Sequence, residues 1–140
     1  MNPHDAVKKV NNFFVYKSDL ENYNFYEVWD VLDEDTPGDC EDYALTVLWY
    51  ISDQSKLTFL YNLLLNPKCS IWMVKIKATG QYHAVLRYKN LYVDNITKIW
   101  FHRLDDEYYN YDWKYPIIPP IIALKFLISL PFIYANDLKR

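Results

Sequence analysis

An α+β fold, one domain in which helices come first and an antiparallel sheet second, is what the 140-residue chain predicts. Apolar residues recur with helical spacing through the first half and then alternate with period two from residue 70 onward. The composition, 51% hydrophobic and 24% charged, is that of a single domain, residues 1–140, able to bury a core. Aromatics at 19%, with 14 tyrosines, exclude a disordered chain.

Asn2 and Pro3 read as an N-cap and a first helical position, and Ala6, Val7, Val10, Phe13 and Phe14 share one face. Residues 24–32, NFYEVWDVL, read as a short helical turn anchored by Tyr26, Trp29 and Leu32, and the acidic DEDTPGD ends it. From Asp39 a buried helix carries Tyr43, Ala44, Val47, Leu48 and Ile51 on one stripe. Ser55 caps a further helix with Leu57, Leu60, Tyr61 and Leu64, which Pro67 stops. The strands are SIWMVKIKA (70–78), QYHAVLRY (81–88) and LYVDNI (91–96), with KIWFHRL (98–104) as a third or fourth partner. A tight turn at Lys89-Asn90 sets Asp94 opposite Val85, hence on the sheet face of His83. The tyrosine-rich EYYNYDWKY (107–115) is expected to pack over a sheet edge.

Residues 115–134, YPIIPPIIALKFLISLPFIY, are apolar enough to suggest a membrane span. Pro116, Pro119, Pro120 and Pro131 oppose it, and Lys125 at mid-bilayer would cost about 3 kcal/mol. The expectation is a Pro-rich extended lead-in and a short buried helix, residues 115–135, packed on the same domain without a membrane. With a formal charge of −3 and scattered lysines there is no basic stripe, so nucleic acid is excluded as a partner. The first residues lack an apolar secretory region, and Cys40 and Cys69 match neither a disulfide framework nor a zinc ribbon. A reducing cytoplasm is the expected location.

The stretch TPGDCEDYAL (36–45) sets Cys40 in the first turn of a helix, among Asp39, Glu41 and Asp42. A helix N-terminus stabilises a thiolate, the reactive form of cysteine. Asp39 fits an N-cap, and Asp42, three residues on, completes a capping box. The same carboxylates oppose the thiolate, so something must offset them. An imidazolium would. Of the three histidines, His83 has an acid in register, Asp94, which would fix its tautomer. The only two glycines, Gly38 and Gly80, lie just before Cys40 and His83. Cys69 reads as an inert thiol at the start of a strand.

GDCEDYAL, HAVL and YVDN, in that order, closely resemble the three motif blocks of the bacterial transglutaminase-like cysteine proteinases, which include the LapG-type proteases. The resemblance covers roughly residues 5 to 96. It implies a papain-like, transglutaminase-like core, with Cys40 as nucleophile, His83 as general base and acid, and Asp94 orienting His83. The implied activity is hydrolysis of a peptide or isopeptide bond in a protein or peptide substrate, with transamidation or deamidation as alternatives. LapG-type members use calcium, held by acidic residues that match Asp39, Glu41 and Asp42; the ion would neutralise the carboxylates beside the thiol. Those proteases are exported, and that localisation is not carried over. Twelve lysines against three arginines suggest an AT-rich genome and a bacteriophage product. The rival from another class is a catalytically silent protein-binding module with the same fold.

Overall fold

The computed structural model describes residues 1–23, 28–102 and 111–138, and it is a mixed α and β architecture with one antiparallel sheet. Helix α1 (Pro3–Phe13) starts as its sequence dictates. Asn2 Oδ1 accepts the Asp5 N–H at 2.9 Å, and Ala6, Val7 and Val10 are buried. Helix α2 (Asp19–Tyr23) is a single turn that no apolar period announces. Helix α3 (Cys40–Ile51) opens with the capping box: Asp39 Oδ1 accepts the Asp42 N–H, and Asp42 Oδ2 accepts the Asp39 N–H. Helix α4 (Lys56–Leu64) is capped by the Ser55 hydroxyl.

Strands β1 (Cys69–Ile76), β2 (Tyr82–Tyr88), β3 (Leu91–Val93) and β4 (Tyr111–Pro116) lie in the order β3-β2-β1-β4. Leu86 faces Val93 and Tyr88 faces Leu91, the register expected of a two-residue turn at Lys89-Asn90. Ile71, Met73, Ala84, Leu86 and Val93 join one core with α3 and α1. Val74, Val85 and Phe101, with Trp72 and Tyr92 against them, form a second, smaller cluster. Leu45 and Leu48 of α3 are fully buried, each contributing about 1.5–3 kcal/mol.

Four segments differ from expectation. Residues 28–32 are not helical, because side chains take up their backbone donors. The N–H groups of Trp29, Asp30 and Leu32 go to Ser129 Oγ (2.8 Å), Asp42 Oδ1 (2.8 Å) and Thr46 Oγ1 (2.9 Å). Trp29 and Leu32 are nonetheless buried anchors, while Tyr26 lies outside the described residues. In 98–104 a single bridge, Tyr92 to Phe101, replaces a strand, and residues 103 and 104 lie outside the described set. Of the tyrosine-rich 107–115, the part from 111 is strand β4 itself, paired to β1; 107–110 lie outside the described residues.

The fourth is the C-terminal segment. Its lead-in is extended, but the helix that follows, α5 (Pro119–Leu138), has 20 residues and is not buried all round. Ile122 and Ser129 are buried and Phe126 packs on Trp29 and Phe59, whereas Leu124, Leu127 and Leu130 are more than half exposed. Pro119 and Pro120 sit in the first turn, where a missing N–H costs nothing. Among the described residues no helix is long and apolar enough to cross a membrane.

Candidate active site

Cys40 is the first residue of α3, half-buried, at the point where the helix meets β2. Its approach is fixed from outside the helix. Gly38 is bridged to Tyr16: the Gly38 N–H donates to Val15 O at 3.0 Å and Gly38 O accepts the Lys17 N–H at 2.8 Å. A methyl on Gly38 would stand 2.7 Å from Leu32 Cδ1 and 2.8 Å from Asp42 Cβ. The glycine is therefore required by close packing under the cysteine turn. Gly80, at φ +68, needs its freedom for the β1–β2 turn.

On the sheet side, the Ala84 N–H donates to Cys40 Sγ at 3.4 Å, which brings the residue after His83 against the sulfur. The His83 side chain is buried and its Nε2 lies 3.0 Å from Asp94 Oδ2. Asp94 is fully buried at the end of β3, and its Oδ1 accepts the N–H groups of Ile96 and Thr97 and the Thr97 hydroxyl. Burial alone would raise the Asp94 carboxyl. The hydrogen bond and charge of His83, with the Thr97 donors, outweigh it and hold Asp94 below the ordinary carboxylate range. His83 and Asp94 thus meet at the edge of the sheet where β3 has ended and β2 continues, and Cys40 reaches that edge through the Ala84 N–H.

The acidic residues divide. Asp39, Cys40 and Glu41 present ligand atoms within 4.8 Å of one another, and so do Asp19, Asp39 and Asp42. Asp39 belongs to both groups; Glu41 and Asp42 are not brought together in one. The Cys40 thiol donates to Glu41 Oε2 at 3.2 Å. Burial, then the charges of Glu41 and Asp39, push the Cys40 thiol well above its ordinary value, against the helix N-terminus. Burial, then the Asp39 charge, raises Glu41 to about 8. Burial also raises Asp39 to about 7, with the Asp19 charge adding and a hydrogen bond to Glu41 opposing. Asp42 is displaced upward for the same reason, burial first and then Asp39 and Asp19.

Three participants are not among the expected site residues. The Ala84 N–H carries no side-chain signature. Asp19 enters through α2, twenty residues before Asp39, and its carboxylate also accepts the Val28 N–H at 2.6 Å. Tyr16 stands on the loop bridged to Gly38, where burial first and then the charges of Cys40, Asp39 and Glu41 raise its hydroxyl. Cys69, by contrast, is buried in β1 and raised to about 12 by that burial, as an inert thiol should be. Trp29 packs edge-on against Phe126 and is fully buried. The chain matches no protein-family model and no curated protein.

Proposed function

We propose that the chain is a thiol acyl-transfer enzyme of papain-like, transglutaminase-like type, hydrolysing a peptide or isopeptide bond in a protein substrate. The observation that carries this is the buried His83–Asp94 pair at 3.0 Å, next to a helix-N-terminal cysteine whose sulfur touches the following residue. Asp94 engages Nε2, which leaves Nδ1 as the His83 nitrogen that would serve the thiol. Cys40 Sγ attacks the carbonyl carbon as its proton passes to His83, and the oxyanion is held by the Cys40 N–H in the first helical turn. His83 then gives the proton to the leaving amine, forming a thioester. Water, deprotonated by His83, releases the acid; an amine in its place would make the reaction transamidation, and a glutamine side-chain amide as substrate would make it deamidation.

Calcium fits the donors. Buried carboxylates of Asp19, Asp39 and Asp42 are hard oxygen ligands lying together, and Asp39 and Glu41 flank the thiol. Asp39 with its neighbours would hold the ion, which supplies positive charge that offsets the carboxylates opposing the thiolate. The residues of this chain do the chemistry: Glu41 gives up the thiol proton contact, and Ala84 N–H steadies the sulfur.

The test is the rate of Cys40 alkylation by iodoacetamide against pH, read by peptide mass, with calcium or with chelator. With calcium the inflection is expected below the free-cysteine value of about 8.5 and is expected to vanish in His83→Ala. With chelator it is expected above that value. A Cys40 that reacts identically in wild type and His83→Ala under both conditions would sink the enzyme reading in favour of a silent binding module.

A further inference from the structure

We propose that the C-terminal helix gives this thiol site its substrate pocket, one that seats a bulky apolar side chain, of the leucine or phenylalanine class, beside the bond under attack. The inference rests on Cys40 being the nucleophile, but other residues carry it. A cavity of about 400 Å³ lies between the sheet and the start of α5, within the size range of about 300–1,000 Å³ typical of ligand sites. Glu41, whose Oε2 accepts the Cys40 S–H at 3.2 Å, lines it, so the cavity lies one side chain away from the sulfur.

Its walls are apolar and set by the sheet register. Met73 lies opposite Tyr115 on β4, and Lys75 lies opposite Tyr82 on β2, so Met73, Tyr115 and Tyr82 share one face. Ile117 and Ile121 also line it. Tyr82, Tyr115 and Ile121 are 65%, 49% and 43% exposed. Large apolar side chains left open to water and converging on one concavity are the mark of a binding groove. Lys125 stands at the rim with its ammonium 5.5 Å from the Trp29 ring centroid. Tyr115, Ile117, Ile121 and Lys125 come from β4 and the C-terminal segment, beyond the triad motifs, so more than half of the lining is supplied by a segment separate from the reacting groups.

The experiment separates the pocket from the chemistry. In Cys40→Ala protein, the binding of N-acetyl-phenylalanine amide, N-acetyl-leucine amide and N-acetyl-alanine amide is followed by the NMR methyl shifts of Met73 and Ile121. In wild type, peptidyl vinyl sulfones with Phe, Leu or Ala beside the warhead are compared by their rate of Cys40 modification, with iodoacetamide alongside. Phe and Leu are expected to exceed Ala by about tenfold or more in both assays. Ile121→Trp, which fills the cavity, is expected to bring that ratio near one; Tyr115→Ala provides a second variant if Ile121→Trp does not fold. Equal values for Phe and Ala in wild type and in Cys40→Ala, or a ratio that survives both variants, would overturn the pocket. A Cys40 inert to iodoacetamide, in a protein whose Cys40→Ala form still prefers the phenylalanine amide, would support the pocket and overturn the acyl-transfer reading alone.

Discussion

Glu41 opposes the reactivity of Cys40 twice, by accepting its proton and by the charge it acquires when it ionises. Glu41→Gln removes the charge, while its amide oxygen still accepts the thiol hydrogen. Alkylation of Cys40 without calcium is therefore expected to rise by about three- to tenfold above about pH 8, where Glu41 is ionised, with the inflection moving down; a slower reaction would assign Glu41 a supporting role instead. Asp94→Asn keeps the volume but leaves the His83 tautomer unfixed, and should cost about 10²–10⁴ in turnover of a peptide substrate while melting stays near wild type. Gly38→Ala acts on the turn itself. Its methyl would displace Leu32 or Asp42 and strain the capping box, a loss of about 1–3 kcal/mol measurable by urea unfolding. At this scale the sequence singled out Cys40, His83 and Asp94 by residue type, and the structure pairs His83 with Asp94. The sequence disclosed neither the Ala84 N–H, which any residue except proline would present, nor Asp19, whose proximity depends on how α2 returns to α3.

Among the elements, the β2–β3 hairpin was legible because a two-residue turn leaves one register, and that register carries Asp94 to His83. The C-terminal helix was legible only in part. Four prolines read as breakers, yet two occupy the first turn and Pro131 is accommodated within the helix. A uniformly apolar helix reads as buried on all sides, because periodicity cannot rank its faces. The structure ranks them. Ile122, 1% exposed against α4 and the sheet, should cost about 2–5 kcal/mol when cut to alanine. Leu127, 65% exposed, should tolerate lysine within about 0.5 kcal/mol. Chemical denaturation of the two variants checks the ranking, and a Leu127→Lys loss as large as that of Ile122→Ala would mean that the outer face is covered. Strand β4 escaped notice because an edge strand needs no clean alternation and accepts a proline, here Pro116.

Taken whole, the molecule stores its acidic groups in the wrong place for an ordinary pH profile. A group that binds protons more tightly folded than unfolded stabilises the fold below its unfolded pKa, and that contribution is lost as pH rises through the folded value. Asp39 moves from 3.8 to about 7 and Glu41 from 4.5 to about 8, both through burial first, so metal-free stability should fall between about pH 4 and pH 8. Asp94 works in the opposite sense. Its carboxyl is held below 3.8, so its contribution is present above that value and is lost as pH falls through the depressed one. The two together place the metal-free optimum on the acid side of neutrality. Calorimetry with chelator is expected to give a lower Tm at pH 8 than at pH 5, and calcium at pH 8 should raise it, because an ion that binds only the folded carboxylates adds its binding free energy to stability. A chelated Tm that climbs from pH 5 to pH 8 would mean that the cluster ionises without cost. In that case the carboxylates would need no counter-ion, and the activation of Cys40 would have to come from His83 alone.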